Sequence, residues 1–85
     1  RISEDSKANV ILNLIYSNTL SGVIVRERAY AYLDKNTIDD NGESAIVFFG
    51  SSLGDVNNNT CSGNARLGIE VNDEAAPNIG SNTCQ

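Results

Sequence analysis

Hydrophobic residues fall into columns along this chain. Val23 and Val25, Ile46 and Phe48, and Ile69 and Val71 are pairs two apart, and each pair follows the last by 23 residues. Ile2 continues that series backwards. Val10, Leu33, Val56 and Ile79 keep the same period, and two residues before each stands a compact residue, Ala8, Ala31, Gly54 or Pro77. A third column holds Ile15, Ile38, Cys61 and Cys84. Alternate spacing sends side chains to one face of a short strand. Each unit therefore predicts three short strands separated by turns. Such a fixed period marks an architecture in which every unit buries its core against the next. The whole chain reads as one module, with a less regular stretch at 1–9. Repeats follow near 10–32, 33–55 and 56–78, with a partial one at 79–85.

Polar residues repeat as strictly. Asn13, Asn36, Asn59 and Asn82 form one series, and Asn18, Asn41 and Asn64 another five residues later. Asparagine is a turn former that tolerates left-handed backbone. These residues are therefore expected at the corners between strands. Their side-chain amides would bond the equivalent amide one coil above and below, forming ladders. A helical arrangement fails because apolar residues alternate and turn formers recur every few positions. The expected object is an all-β solenoid of about four coils, stacked by parallel pairing about 4.8 Å apart.

The elements Asn13-Leu-Ile-Tyr-Ser-Asn18, Asn36-Thr-Ile-Asp-Asp-Asn41 and Asn59-Thr-Cys-Ser-Gly-Asn64 carry a resemblance, as does Pro77-Asn-Ile-Gly-Ser-Asn82-Thr-Cys84. The chain resembles right-handed parallel β-helix proteins of the pectate-lyase-like type, with short Asn-rich repeats, over nearly its whole length. The resemblance implies the fold and leaves activity open, since that family holds polysaccharide lyases, hydrolases and epimerases beside tailspikes and adhesins. Enzymes of the family commonly carry catalytic residues on one sheet's outer face. Here the outward columns beside Val23 and Val25 hold Ile24, Val47 and Glu70, then Arg26, Phe49 and Asn72. No paired carboxylates stand there for a glycosidase. A histidine-dependent epimerase motif is excluded, because the chain has no His. No catalytic residue and no cofactor is assigned.

Charge changes the partner classes. Net charge is −5 and the six basic residues are scattered, which argues against nucleic acid. No apolar run is long enough to span a membrane. The chain opens on Arg1 without a leader, so it reads as a processed product or a piece of a longer chain. Asp34, Asp39, Asp40 and Glu43 make the densest acidic cluster; a solvated corner fits it better than calcium. Cys61 and Cys84 replace isoleucines of earlier repeats. That equivalence favours two stacked, buried free thiols over a disulfide. Two thiols without His make a poor zinc site, so no metal is assigned.

Departures from the repeat mark candidate surfaces. In the first repeat Ile11, Leu12, Leu14 and Tyr16 stand where later repeats are polar, and these positions should face outward. Such an apolar strip marks a contact surface, unless residues 1–9 cover it. Tyr30 and Tyr32 should alternate outward from Ala31 and Leu33, and Ile24, Val47 and Phe49 add a second outward patch. Ordinary half-exposed strand tyrosines are the favoured reading of Tyr30 and Tyr32, with sugar stacking or a protein contact as the alternative. The expected function is a non-catalytic structural or binding module of an extracellular or surface protein. Its expected partners are further coils of the same kind, or copies of itself, with a polysaccharide as a possible ligand. The alternative is a fragment of a polysaccharide-active enzyme.

Overall fold

Three parallel sheets run side by side along the molecule, and the chain visits each once per coil. The computed structural model describes residues 1–84, which contain strands, turns and bends but no helix. The first coil holds β1 (Lys7–Ile11) and β2 (Leu14–Tyr16), and the second holds β3 (Val23–Val25), β4 (Tyr30–Asp34) and β5 (Thr37–Asp39). The third coil holds β6 (Ile46–Phe48), β7 (Leu53–Asn57) and β8 (Thr60–Ser62). The fourth holds β9 (Ile69–Val71), β10 (Asn78–Ile79) and β11 (Thr83–Cys84). The sheets run β1-β4-β7-β10, β2-β5-β8-β11 and β3-β6-β9. Every pairing is parallel, and every register equals the sequence period: Ala31 faces Gly54, Ile38 faces Cys61, and Ile46 faces Ile69. Residues 1–9, expected to be less regular, keep this register. Ile2 bridges Val25, and Lys7 to Asn9 lie in β1.

The three columns read from the sequence form the core. Val25, Leu33, Ile38, Ile46, Phe48 and Val56 are fully buried in the second and third coils. Their counterparts Val10, Ile15, Ile69 and Cys84 pack against this cluster but stay partly exposed. Burial therefore peaks in the middle, as it must where each coil borrows its neighbours' apolar surface. Phe48 stands where the flanking coils have valine. Its ring takes the space left at Gly54, where a Cβ would lie 3.1 Å from Phe48 Cε2 and would collide with the Ala31 carbonyl. One large and one absent side chain thus complement each other across the core.

The corners correct one expectation. None of the ladder asparagines has left-handed backbone. The positive φ falls one residue earlier, at Leu12 (59°), Lys35 (58°) and Asn58 (58°), and at Ser17 (56°), Asp40 (55°) and Gly63 (67°). A third such column closes each coil at Glu4, Glu27, Gly50 and Asp73. At these six corners the left-handed bend is made by the residue that precedes the asparagine. The asparagine then satisfies the polar groups that the bend turns away from the sheets.

The cysteines correct another. Cys61 and Cys84 are joined in a disulfide between β8 and β11, not stacked as free thiols. Register explains it: the two residues are direct partners in a parallel pair, with Cα atoms 4.3 Å apart and side chains on one face. Replacing isoleucine by cysteine on adjacent coils places two sulfurs within bonding reach.

Candidate binding faces

Two asparagine ladders brace the corners. Asn36 Oδ1 accepts the backbone N–H of Asn13 at 3.0 Å and its Nδ2–H at 3.2 Å. Asn59 serves Asn36 in the same way at 3.0 and 2.9 Å, and Asn82 serves Asn59 at 3.0 and 2.9 Å. The second series repeats this from Asn18 to Asn41 and from Asn41 to Asn64. Spare Nδ2 protons bond strand-end carbonyls, as from Asn36 to Val10 and from Asn59 to Leu33. Among the described residues no buried side-chain nitrogen or oxygen lacks a partner. Asn36, Asn41 and Asn59 are buried, while Asn13 and Asn18 on the first coil are exposed. These residues hold neighbouring coils together at the corners.

The outer face of β1-β4-β7-β10 carries the most chemistry. Strand alternation puts Tyr30 and Tyr32 outward beside Lys7 and Asn9 of the coil before, and Leu53 and Asp55 of the coil after. A shallow cleft of about 350 Å³ is lined by Lys7, Ala8, Asn9, Tyr30 and Tyr32. The Tyr30 hydroxyl donates to Asp55 Oδ2, and Asn78 Nδ2 donates to Oδ1 at 3.2 Å. The Tyr30 bond, then the Asn78 bond, hold the Asp55 carboxyl below its ordinary pKa, and the same carboxylate raises the Tyr30 phenol. Tyr32 is 37% exposed and its ring is free to stack. The face thus offers an aromatic platform beside a fixed carboxylate and two amides. Asp55 and Asn78 were not singled out from the sequence. Their signal was present: both stand in the Tyr32 column, one and two periods on.

The β3-β6-β9 face differs from expectation. Val47 points outward yet is only 2% exposed, and Ile24 is half-buried; of the expected apolar patch only Phe49 stays open, at 37%. Glu70 lies next to Val47 in register. Its carboxylate accepts from Ser44 Oγ at 2.7 Å, Asn72 Nδ2 at 2.9 Å and Arg66 at 3.3 Å. The Ser44 bond leads in lowering its pKa, with help from Asn72 and Arg66. Both oxygens of this carboxylate are engaged within the fold, and Arg26 is not among its partners.

The apolar strip stays open. Leu12 is 75% exposed, Leu14 65%, Tyr16 59% and Ile11 42%, so residues 1–9 do not cover it. Ile11 ends β1, Leu14 and Tyr16 face out from β2, and Leu12 sits at the left-handed corner between them. The strip therefore wraps one edge of the first coil. The acidic corner is dispersed: Asp39 accepts from Ser62, and Asp34 from Asn58. Among the described residues no group of three or more His, Cys, Asp or Glu is placed to hold a metal.

Parallel coils, in-register columns and corner ladders define a β-solenoid. The chain belongs to the right-handed β-helix family, whose model, for the right handed beta helix region, matches residues 1–85. That family contains both enzymes and non-enzymes. No curated protein and no solved structure matches the chain.

Proposed function

We propose that this chain is a non-catalytic structural or binding module that associates through its apolar strip. The partner is solenoid of the same kind, either further coils of a longer chain or a second copy. The observation that carries this is the run of Ile11, Leu12, Leu14 and Tyr16, four large apolar side chains contiguous across β1, a corner and β2, all exposed. Soluble surfaces rarely leave such a patch without a use. The disulfide supports an extracellular or surface setting, because such bonds persist in oxidising compartments. Sedimentation velocity across a concentration series tests the association. The native chain should sediment as an oligomer, and Leu14→Asp with Tyr16→Asp should return it to monomer. A native chain that stays monomeric at every concentration refutes the second copy and leaves further coils of a longer chain as the partner.

A second reading rests on the other face. Tyr32, Asn9, Asp55 and Asn78 together suit a glycan, with a ring for stacking and amides and a carboxylate for hydroxyls. It fits a polysaccharide-binding module or part of a polysaccharide-active enzyme. Binding to a polysaccharide panel that is lost in Tyr32→Ala would favour it. Release of reducing ends or unsaturated sugars by the native chain would separate the enzyme from the binder.

A further inference from the structure

We infer that Asn58 is an acceptor for N-linked glycosylation. Of the twelve asparagines, only Asn58 begins an Asn-x-Ser/Thr triplet, Asn58-Asn59-Thr60. A chain this rich in Asn, Ser and Thr produces such a triplet readily by chance, so the argument rests on where the fold puts it. Asn58 occupies the left-handed corner after β7, with φ 58°, and is exposed. The same corner position holds Leu12, 75% exposed, one period after which comes the exposed Lys35. Side chains here project into solvent on every coil that carries them.

Asn58 Nδ2 makes a single side-chain bond, to Asp34 Oδ1 at 3.0 Å. In the transfer, Nδ2 forms a bond to the anomeric carbon of a polyprenyl-pyrophosphate-linked oligosaccharide. The bond from that carbon to the phosphate oxygen breaks, the lipid pyrophosphate leaves, and Nδ2 gives up one proton. A glycosylated amide keeps its other N–H, so the bond to Asp34 survives. The backbone N–H of Asn58 bonds the Ser81 carbonyl and takes no part.

The neighbouring asparagine shows the contrast. Asn59 is 1% exposed, and its Nδ2 serves Asn82 Oδ1 and the Leu33 carbonyl, each near 3 Å. A glycan there would break the ladder and open the core. Asn59-Thr60-Cys61 and Asn82-Thr83-Cys84 also end on sulfurs that are already joined. One residue of offset thus separates a position the fold exposes from one it buries. The inference shares with the proposed function only the secretory route, to which the disulfide independently points.

The test is to direct the 85-residue chain through the secretory pathway of a eukaryotic cell. Chain is recovered from both medium and cell membranes. Peptide N-glycosidase in heavy-oxygen water then marks any occupied asparagine as labelled aspartate for mass spectrometry. The expected result is a label on Asn58 in most chains, lost in Asn58→Gly and in Thr60→Ala, with Asn59 unlabelled. Glycine suits the left-handed corner, and Thr60 faces outward, so both variants keep the fold. Unlabelled Asn58 in both fractions overturns the proposal, as does labelling of Asn59. Association and glycan binding are measured on unmodified chain, so their failure leaves this result untouched.

Discussion

Leu12, Lys35 and Asn58 share a backbone conformation that L-residues adopt at a cost, yet only Asn58 has a side chain suited to it. Lys35 is exposed, and its backbone N–H bonds the Asn57 carbonyl, a bond glycine would keep. Lys35→Gly should therefore raise stability by about 1 kcal/mol despite added chain entropy, measured by urea unfolding. A loss would mean that the corner is not left-handed in solution. Glu70 supplies a second residue-scale prediction. Its folded pKa lies below the ordinary glutamate value, first through Ser44. The bound carboxylate thus adds stability above that ordinary value, and the contribution drains away as pH falls through the folded pKa. The unfolding midpoint should drop below about pH 4, and Glu70→Gln should flatten that drop while lowering stability at neutral pH. Unchanged acid sensitivity in Glu70→Gln would remove the carboxylate from this role.

Ladder and sheet respond to position within the stack. Asn59 is buried and links three successive coils, whereas Asn13 is exposed and its side chain bonds only Ile11 and Asn36. Asn59→Ala strands the Asn36 N–H and the Leu33 carbonyl, so it should cost about 3 kcal/mol or more; Asn13→Ala should cost about 1 kcal/mol or less. Equal costs in denaturant melts would mean that the ladder is an ornament of the turns. The strands and their register were legible in the sequence, because in-register stacking turns a repeat directly into pairing: Tyr30 over Leu53 needs only their separation. The corner was misplaced by one residue. Asparagine's tolerance for left-handed backbone pointed to Asn13 and its series, while their use was hydrogen bonding. The bridge between Cys61 and Cys84 was hidden because the column had been apolar in every earlier coil. Val47 was hidden because strand alternation gives the direction of a side chain and not what lies over it. Tyr30 and Tyr32 were visible as departures from the repeat, but the Asp55 and Asn78 partners that make the face polar blend into ordinary strand composition.

At the scale of the molecule, burial is greatest in the middle coils, and the fourth leaves more of its apolar column exposed. Val71 and Ile79 are 43% and 48% exposed. The disulfide ties this coil to the third across a separation of 23 residues. Reduction should therefore lower stability by about 3 kcal/mol, seen as a lower melting temperature with reductant, and the native chain should show no free thiol before unfolding. Two titratable thiols in the folded chain would contradict the pairing. The ladders carry a further consequence. Each asparagine oxygen accepts from the residue one period earlier, never the reverse, so the solenoid has a direction. On the first coil the side-chain oxygens of Asn13 and Asn18 head the two ladders. The strand edges offer both N–H and C=O groups, so this polarity belongs to the side-chain ladders alone; turned end for end, ladder oxygen would confront ladder oxygen. The ladders thus give the solenoid a polarity along its axis, and a coil added at either end would extend them only when it points the same way.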